Sequence, residues 1–167
     1  MGTVTYTPIA SQTLTSSAAS VTFSSIPQDY RDLVVVTNGR GTTTSYTVMA
    51  VAFNGSSTGY EFVAMYGDGS ATASYTESAT VISANQIARS NSTSGYFTPV
   101  IFNIMDYSAT DKHKSVLLRN SGTGTNMIVL AGAGRWANTS AITSMTFYPG
   151  NGNFETGSTF ELFGIAA

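Results

Sequence analysis

The chain has 167 residues and no cysteine, and a domain of that size buries about 70% of its unfolded surface without needing a disulfide or metal staple. Charged residues make up only 10% of it and the net charge is −2. That excludes a basic stripe, and with it nucleic acid as a partner.

The first residues, MGTVTYTPIASQ, lack the positive and apolar regions of a signal peptide. Met1-Gly2 resembles a myristoylation start, but Tyr6 stands where Ser or Thr is required. No apolar run approaches the roughly 20 residues of a membrane-spanning helix. A soluble protein is expected, with its fold starting at once and no membrane contact. Ser and Thr exceed a quarter of the chain. They take the water-facing strand positions that Lys and Glu usually fill, and β-branched Thr suits a strand.

In chain order, 3–9 reads as a short strand, and 12–15 and 20–23 as two more around the small residues 16–19. Pro27 and Asp29 mark a turn, with Ile26 and Tyr30 placed to close the end of a core. Leu33-Val34-Val35-Val36 is a continuous apolar run, the pattern of a strand covered on both sides. Gly39-Arg40-Gly41 opens a polar loop. Residues 46–53 form a strand, and Asn54-Gly55 is the strongest hairpin signal in the chain, with 60–66 as the expected partner. Residues 67–70 turn again, and 71–78 read as a surface loop. A weak alternation covers 79–88.

Residues 96–107 are the longest predicted strand. The turn 106–114 holds four charges and is expected to be solvated. Strands at 115–119 and 127–133 follow, separated by a Gly-Thr turn at 122–125. The chain closes on strands at 141–148 and 158–165, read as a hairpin around Gly150-Asn151-Gly152-Asn153. Pro149 lacks the N–H a ladder needs and stops the first of them. A strand that ends the sequence with Phe160, Leu162 and Phe163 belongs deep in a sheet. No window keeps a helical period with caps. About ten strands with frequent turns predict an all-β antiparallel sandwich or jelly roll, with 1–167 as a single domain.

Chemistry is sparse. His113 is the only histidine and sits between Lys112 and Lys114. Alone, it cannot build the usual zinc site or serve a Ser nucleophile in a G-x-S-x-G motif, which is absent. Glu155 with Glu161, and Asp29 with Asp32, are carboxylate pairs more simply read as turn or solvated residues than as an acid–base couple. Asp68, Asp106 and Asp111 could offer oxygens to calcium, but none lies in an EF-hand loop. Asn54, Asn91 and Asn138 begin glycosylation-type triplets, common by chance in a chain so rich in Ser and Thr. The expectation is no enzyme, no cofactor and no metal. Trp136 beside Arg135 is the candidate interface or sugar contact. An aromatic face can stack on a sugar ring, but a packing role for Trp136 is the simpler reading.

Two segments carry a resemblance. FSSIPQDYRDLVVV (Phe23 to Val36) and WANTSAITSMTFYPGNGNFETGSTFELFGI (Trp136 to Ile165) resemble virion structural proteins of tailed bacteriophages, especially those of cyanobacteria and other aquatic hosts. Ile26, Pro27, Tyr30, Asp32, Leu33, Trp136, Asn153, Phe154, Gly157, Leu162, Gly164 and Ile165 are among the matching positions. Phe163 departs, where that family more often has Tyr. The resemblance covers about a quarter of the chain and brackets it. It implies a jelly-roll domain that assembles as a homotrimer on the outer surface of the particle, against the major capsid protein or another virion protein. Two roles follow from it. One is a capsid decoration, or cement, protein. The other is a receptor-binding fibre tip that recognises host surface glycan. A fold that occupies the chain from residue 3 to residue 165, with no shaft or anchor ahead of it, favours decoration.

Overall fold

A computed structural model describes residues 5–122 and 128–166. In chain order its strands are β1 (Tyr6–Thr13), β2 (Val21–Phe23), β3 (Asp32–Gly39), β4 (Val48–Phe53), β5 (Tyr60–Gly67), β6 (Thr72–Ala79), β7 (Ile82–Gln86), β8 (Thr98–Met105), β9 (Lys114–Ser121), β10 (Val129–Trp136), β11 (Met145–Pro149) and β12 (Thr159–Ile165). All pairings between these strands are antiparallel, and no helix occurs among the described residues. One sheet has eight strands in the order β1-β12-β3-β8-β9-β10-β5-β6. The other has four, in the order β2-β11-β4-β7.

The pairings are nested. β1 pairs with β12, β2 with β11, β3 with β8, and β4 with β7. The chain thus behaves as one long hairpin wrapped into two facing sheets, which is the jelly roll. Eight strands complete that frame. The other four are two inserted hairpins, β5–β6 and β9–β10. They zip to each other through β10 and β5 and extend the large sheet beyond β8.

The core lies between the sheets. Phe147 of β11 contacts Phe102 of β8 and Phe160 of β12, at 5.8 and 5.7 Å between ring centres. All three rings are fully buried. Burial of such a side chain stabilises by about 1.5–3 kcal/mol. β12 sits between β1 and β3, inside the sheet edge, with Phe160 and Leu162 turned inward. Leu33, Val34 and Val35 of β3 are all buried, as their apolar run suggests.

The structure has twelve strands against about ten expected. The segments at 12–15 and 3–9 merge into β1, of whose predicted stretch residues 3 and 4 lie outside the described residues. Residues 71–78, expected as a loop, are almost all in β6, paired with β5 along its full length. Its small polar side chains suit an edge strand that faces water on most sides. Of the Gly-Thr turn, 123–125 lie outside the described residues, as does Met127 of the strand predicted from it.

Two expected hairpins are corners between sheets instead. Asn54 (φ 51°) and Gly55 (φ 67°) do form a tight left-handed turn, and Ser56 N–H donates to the Phe53 carbonyl at 2.9 Å. Yet β4 and β5 lie in different sheets. Asn54 also bonds the chain before β11: its Oδ1 accepts from Thr143 and Ser144 N–H, and its Nδ2 donates to the Ala141 carbonyl. Likewise β11 and β12 flank a turn but belong to opposite sheets. Against the strand expected at 141–148, β11 starts at Met145 and takes in Pro149, which pairs with Met49 at the strand's end, where a missing N–H is tolerated.

Candidate functional site

Arg135 and Trp136 end β10, and the structure separates them. Successive residues of a strand point to opposite faces. Trp136 is 1% exposed and turns inward. Its indole stacks on Tyr60 and touches Phe53, so no ring face is left for a sugar. The sugar-platform alternative for Trp136 is thereby corrected: this residue is packing. Arg135 points outward and pairs with Glu61, its register partner on β5, at 2.7 Å. Both side chains are about half exposed, so the pair adds little stability.

The other candidates serve turns. Asp68 Oδ1 accepts from the N–H groups of Ala71 and Ser70 and from the Ser70 hydroxyl. The Ala71 bond, then those from Ser70, hold its carboxyl below the usual carboxylate range. Asp106 pairs with Lys112 and Arg31 at 3.5 and 3.6 Å. Asp32 accepts from Asp106 N–H at 2.7 Å. His113 is exposed in the same turn. Among the described residues no three His, Asp or Glu side chains gather into a metal-binding group.

Two buried cations escaped the sequence reading. Arg40, expected in a polar loop, is 7% exposed. Its guanidinium donates to the carbonyls of Ser90, Ser92, Thr93 and Tyr96, and its Nε meets Glu155 at 2.6 Å. It fixes the loop 89–96 as a planar fork of donors can. Lys114, expected in a solvated turn, is fully buried. Its ammonium donates to the carbonyls of Ala109, Lys112 and Thr139. Burial pushes its pKa down, while Asp111 and Asp106 oppose the shift.

The surface with the clearest capacity to act is the outer face of the inserted hairpins. Across it, Val63, Ala133 and Leu117 stand opposite one another on β5, β10 and β9. Met65 and Ala131 form the next row, with Arg119 beside them, and Val129 the row after. Val63, Met65, Leu117 and Val129 are 47–65% exposed. A shallow groove of about 680 Å³ runs between β6, β5 and β10, lined in part by Met65, Val129 and Ala131. Large apolar side chains side by side in water mark an interaction surface. The sequence held a signal for it: β5 alternates Glu61, Val63 and Met65 against Tyr60, Phe62 and Ala64, so most positions on both faces are apolar.

No family model, no curated protein and no solved structure matches the chain.

Proposed function

We propose that this protein is a structural component of a bacteriophage particle, a decoration protein on the outer surface of the capsid that works as a homotrimer. The observation that carries this reading is the apolar outer face of the two inserted hairpins. The jelly-roll frame is complete without them. Their inner residues serve the core, but Val63, Met65, Leu117 and Val129 have no partner within the described fold that covers them. Burying each such side chain is worth about 1.5–3 kcal/mol at full burial. The charges on this face, Arg119 and the Arg135–Glu61 pair, stand beside the apolar residues as the polar rim of an interface does.

Association through this face would run beside β6, the exposed edge of the large sheet, and would shield it from unwanted pairing. The resemblance of 23–36 and 136–165 to virion structural proteins supports the same reading. A structural role, not an enzymatic one, fits the use of Asp68, Asp106 and Glu155 in turns and ion pairs. The partner proposed beyond the trimer is the major capsid protein or another virion protein. Cryo-electron microscopy of particles carrying this protein tests the assignment. Density for the jelly roll at lattice positions on the capsid is expected. Density confined to the tail or a fibre tip, or particles without it, would overturn it.

A further inference from the structure

The large sheet is twice as wide as the small one. β5 and β6 therefore overhang β7, the edge strand of the small sheet. The overhang leaves a cleft of about 500 Å³, within the range of roughly 300–1,000 Å³ usual for small-molecule sites. Tyr66, Tyr75 and Glu77 line one wall, Asn85 and Gln86 of β7 the other, and Tyr46, just before β4, stands at the mouth.

The geometry is specific. Tyr66 and Tyr75 meet edge to face, with ring centres 6.2 Å apart. Tyr46 is a large aromatic left 52% exposed, and its hydroxyl donates to Asn85 Oδ1 at 2.7 Å. Asn85 is nearly buried and has a left-handed backbone, φ 47°. The pairing of β7 with β4 slips its register between Val48 and Ala50, next to it. A bulge and a non-glycine residue at positive φ are costly features that recur where a strand aims a side chain at a ligand. Burial raises the phenol pKa values of Tyr46 and Tyr75 above the ordinary 10.0.

We propose that this cleft binds a saccharide, with a pyranose ring laid on Tyr46 and its hydroxyls bonded by the side chains of Gln86 and Glu77, while Asn85 Oδ1, which accepts from the Tyr46 hydroxyl and the Gln86 N–H, holds Tyr46 in place. Pyranose rings carry an apolar C–H face and a rim of paired hydroxyls. The cleft offers both complements: aromatic rings that are apolar in body and polar at the tip, and planar amide and carboxylate groups. A lipid would desolvate the exposed carboxylate of Glu77, which costs more than the roughly 1–3 kcal/mol of a neutral group because it is charged. An anionic ligand would face the carboxylates of Asp68 and Glu77, and the one guanidinium beside the cleft, that of Arg89, is engaged by Gln86 Oε1. The site is distinct from the apolar outer face, because Tyr66, Tyr75 and Glu77 point to the opposite side of the sheet from Met65 and Thr76. The inference does not depend on where the protein sits on a particle.

Saturation-transfer NMR on the purified protein tests it, with methyl glycosides of glucose, galactose, mannose, rhamnose and N-acetylglucosamine as probes. Transfer to at least one glycoside is expected. Tyr46→Ala, at an exposed position, should weaken binding about tenfold, or 1.4 kcal/mol, with an unchanged melting temperature. Tyr75→Phe keeps the ring and should weaken binding less. No transfer to any glycoside at about 10 mM, a concentration that would reveal even millimolar affinity, would overturn the proposal. So would binding that survives Tyr46→Ala undiminished, or that is lost in Arg135→Ala instead.

Discussion

The indole of Trp136 lies nearly parallel to the phenol ring of Tyr60, 6.1 Å between centres and 15° between planes. The two are register partners on β10 and β5. Tyr60 Oη accepts from the Phe53 N–H at 2.8 Å, so the stack fastens the inserted hairpins to the end of β4 in the other sheet. Trp136→Ala is expected to lose about 3–5 kcal/mol, a large share of the 5–15 kcal/mol that holds a typical domain. Tyr60→Phe should lose about 1–3 kcal/mol by leaving a buried N–H unpaired. Denaturant titration measures both. Trp136 is the single tryptophan, so its emission should be blue-shifted and shielded from aqueous quenchers until the fold opens.

Gly164 on β12 lies under the ring of Tyr30. A Cβ there would run directly into that ring. Gly164→Ala should therefore cost about 1–3 kcal/mol through overpacking. In a Tyr30→Ala background the same substitution should cost close to nothing, and the double-mutant cycle reads the coupling. Equal losses in both backgrounds would show that the ring is not the obstacle.

These contacts also show what the residues disclosed in advance. The all-β class, the strand ending at Pro149 and the inward Phe160 and Leu162 follow from period, turn chemistry and apolar alternation. Pairing did not follow. Asn54-Gly55 makes its turn, but β4 lies beside β7 and β11, strands remote in sequence that the nested frame brings to it. β6 was missed because Thr72, Ser74 and Thr76 carry no apolar alternation; its partner β5 supplies the ladder. Arg40 and Lys114 looked like loop residues because burial of a cation depends on carbonyls gathered from distant segments. Of the candidate surface, Val63 and Met65 were visible as apolar positions, but the matching row on β10 and β9 exists only through long-range register. The cleft at Asn85 needed the unequal widths of the two sheets.

Arg40 should be the least replaceable charged residue. Its removal in Arg40→Met would leave four carbonyls and Glu155 without their donor. A loss of about 3 kcal/mol is expected, at the low end for a broken buried pair because Glu155 remains partly exposed. Arg40→Lys should recover little, since an ammonium cannot reproduce the fork. Hydrogen exchange should show the lost protection concentrated at 89–96. Uniform loss across the sheets would contradict the local role.

Alkaline stability has a defined sign. Burial pushes the phenols of Tyr60 and Tyr107 above their ordinary value of 10.0. The unfolded chain then releases those protons first, so stability is intact below about pH 10 and falls as pH rises through it. Lys114 works the other way. Its folded value is lowered from 10.5, so the cost of its buried charge fades as pH climbs toward 10.5 from below. Calorimetry should find a melting temperature that holds or rises slightly up to about pH 10 and then drops. Lys114→Met should abolish the rise and keep the drop. A melting temperature that falls steadily from neutral pH would contradict the assignment.

The claim that the outer face of β5, β9 and β10 is an assembly surface meets its most direct test in light scattering of the purified protein at micromolar concentration. The mass expected is three times that of the 17.5 kDa chain. Met65→Lys and Val129→Lys, both at exposed positions, should keep the wild-type circular dichroism and reduce the mass to that of one chain. A wild-type protein that is already a monomer, or lysine variants that remain trimers, would contradict it.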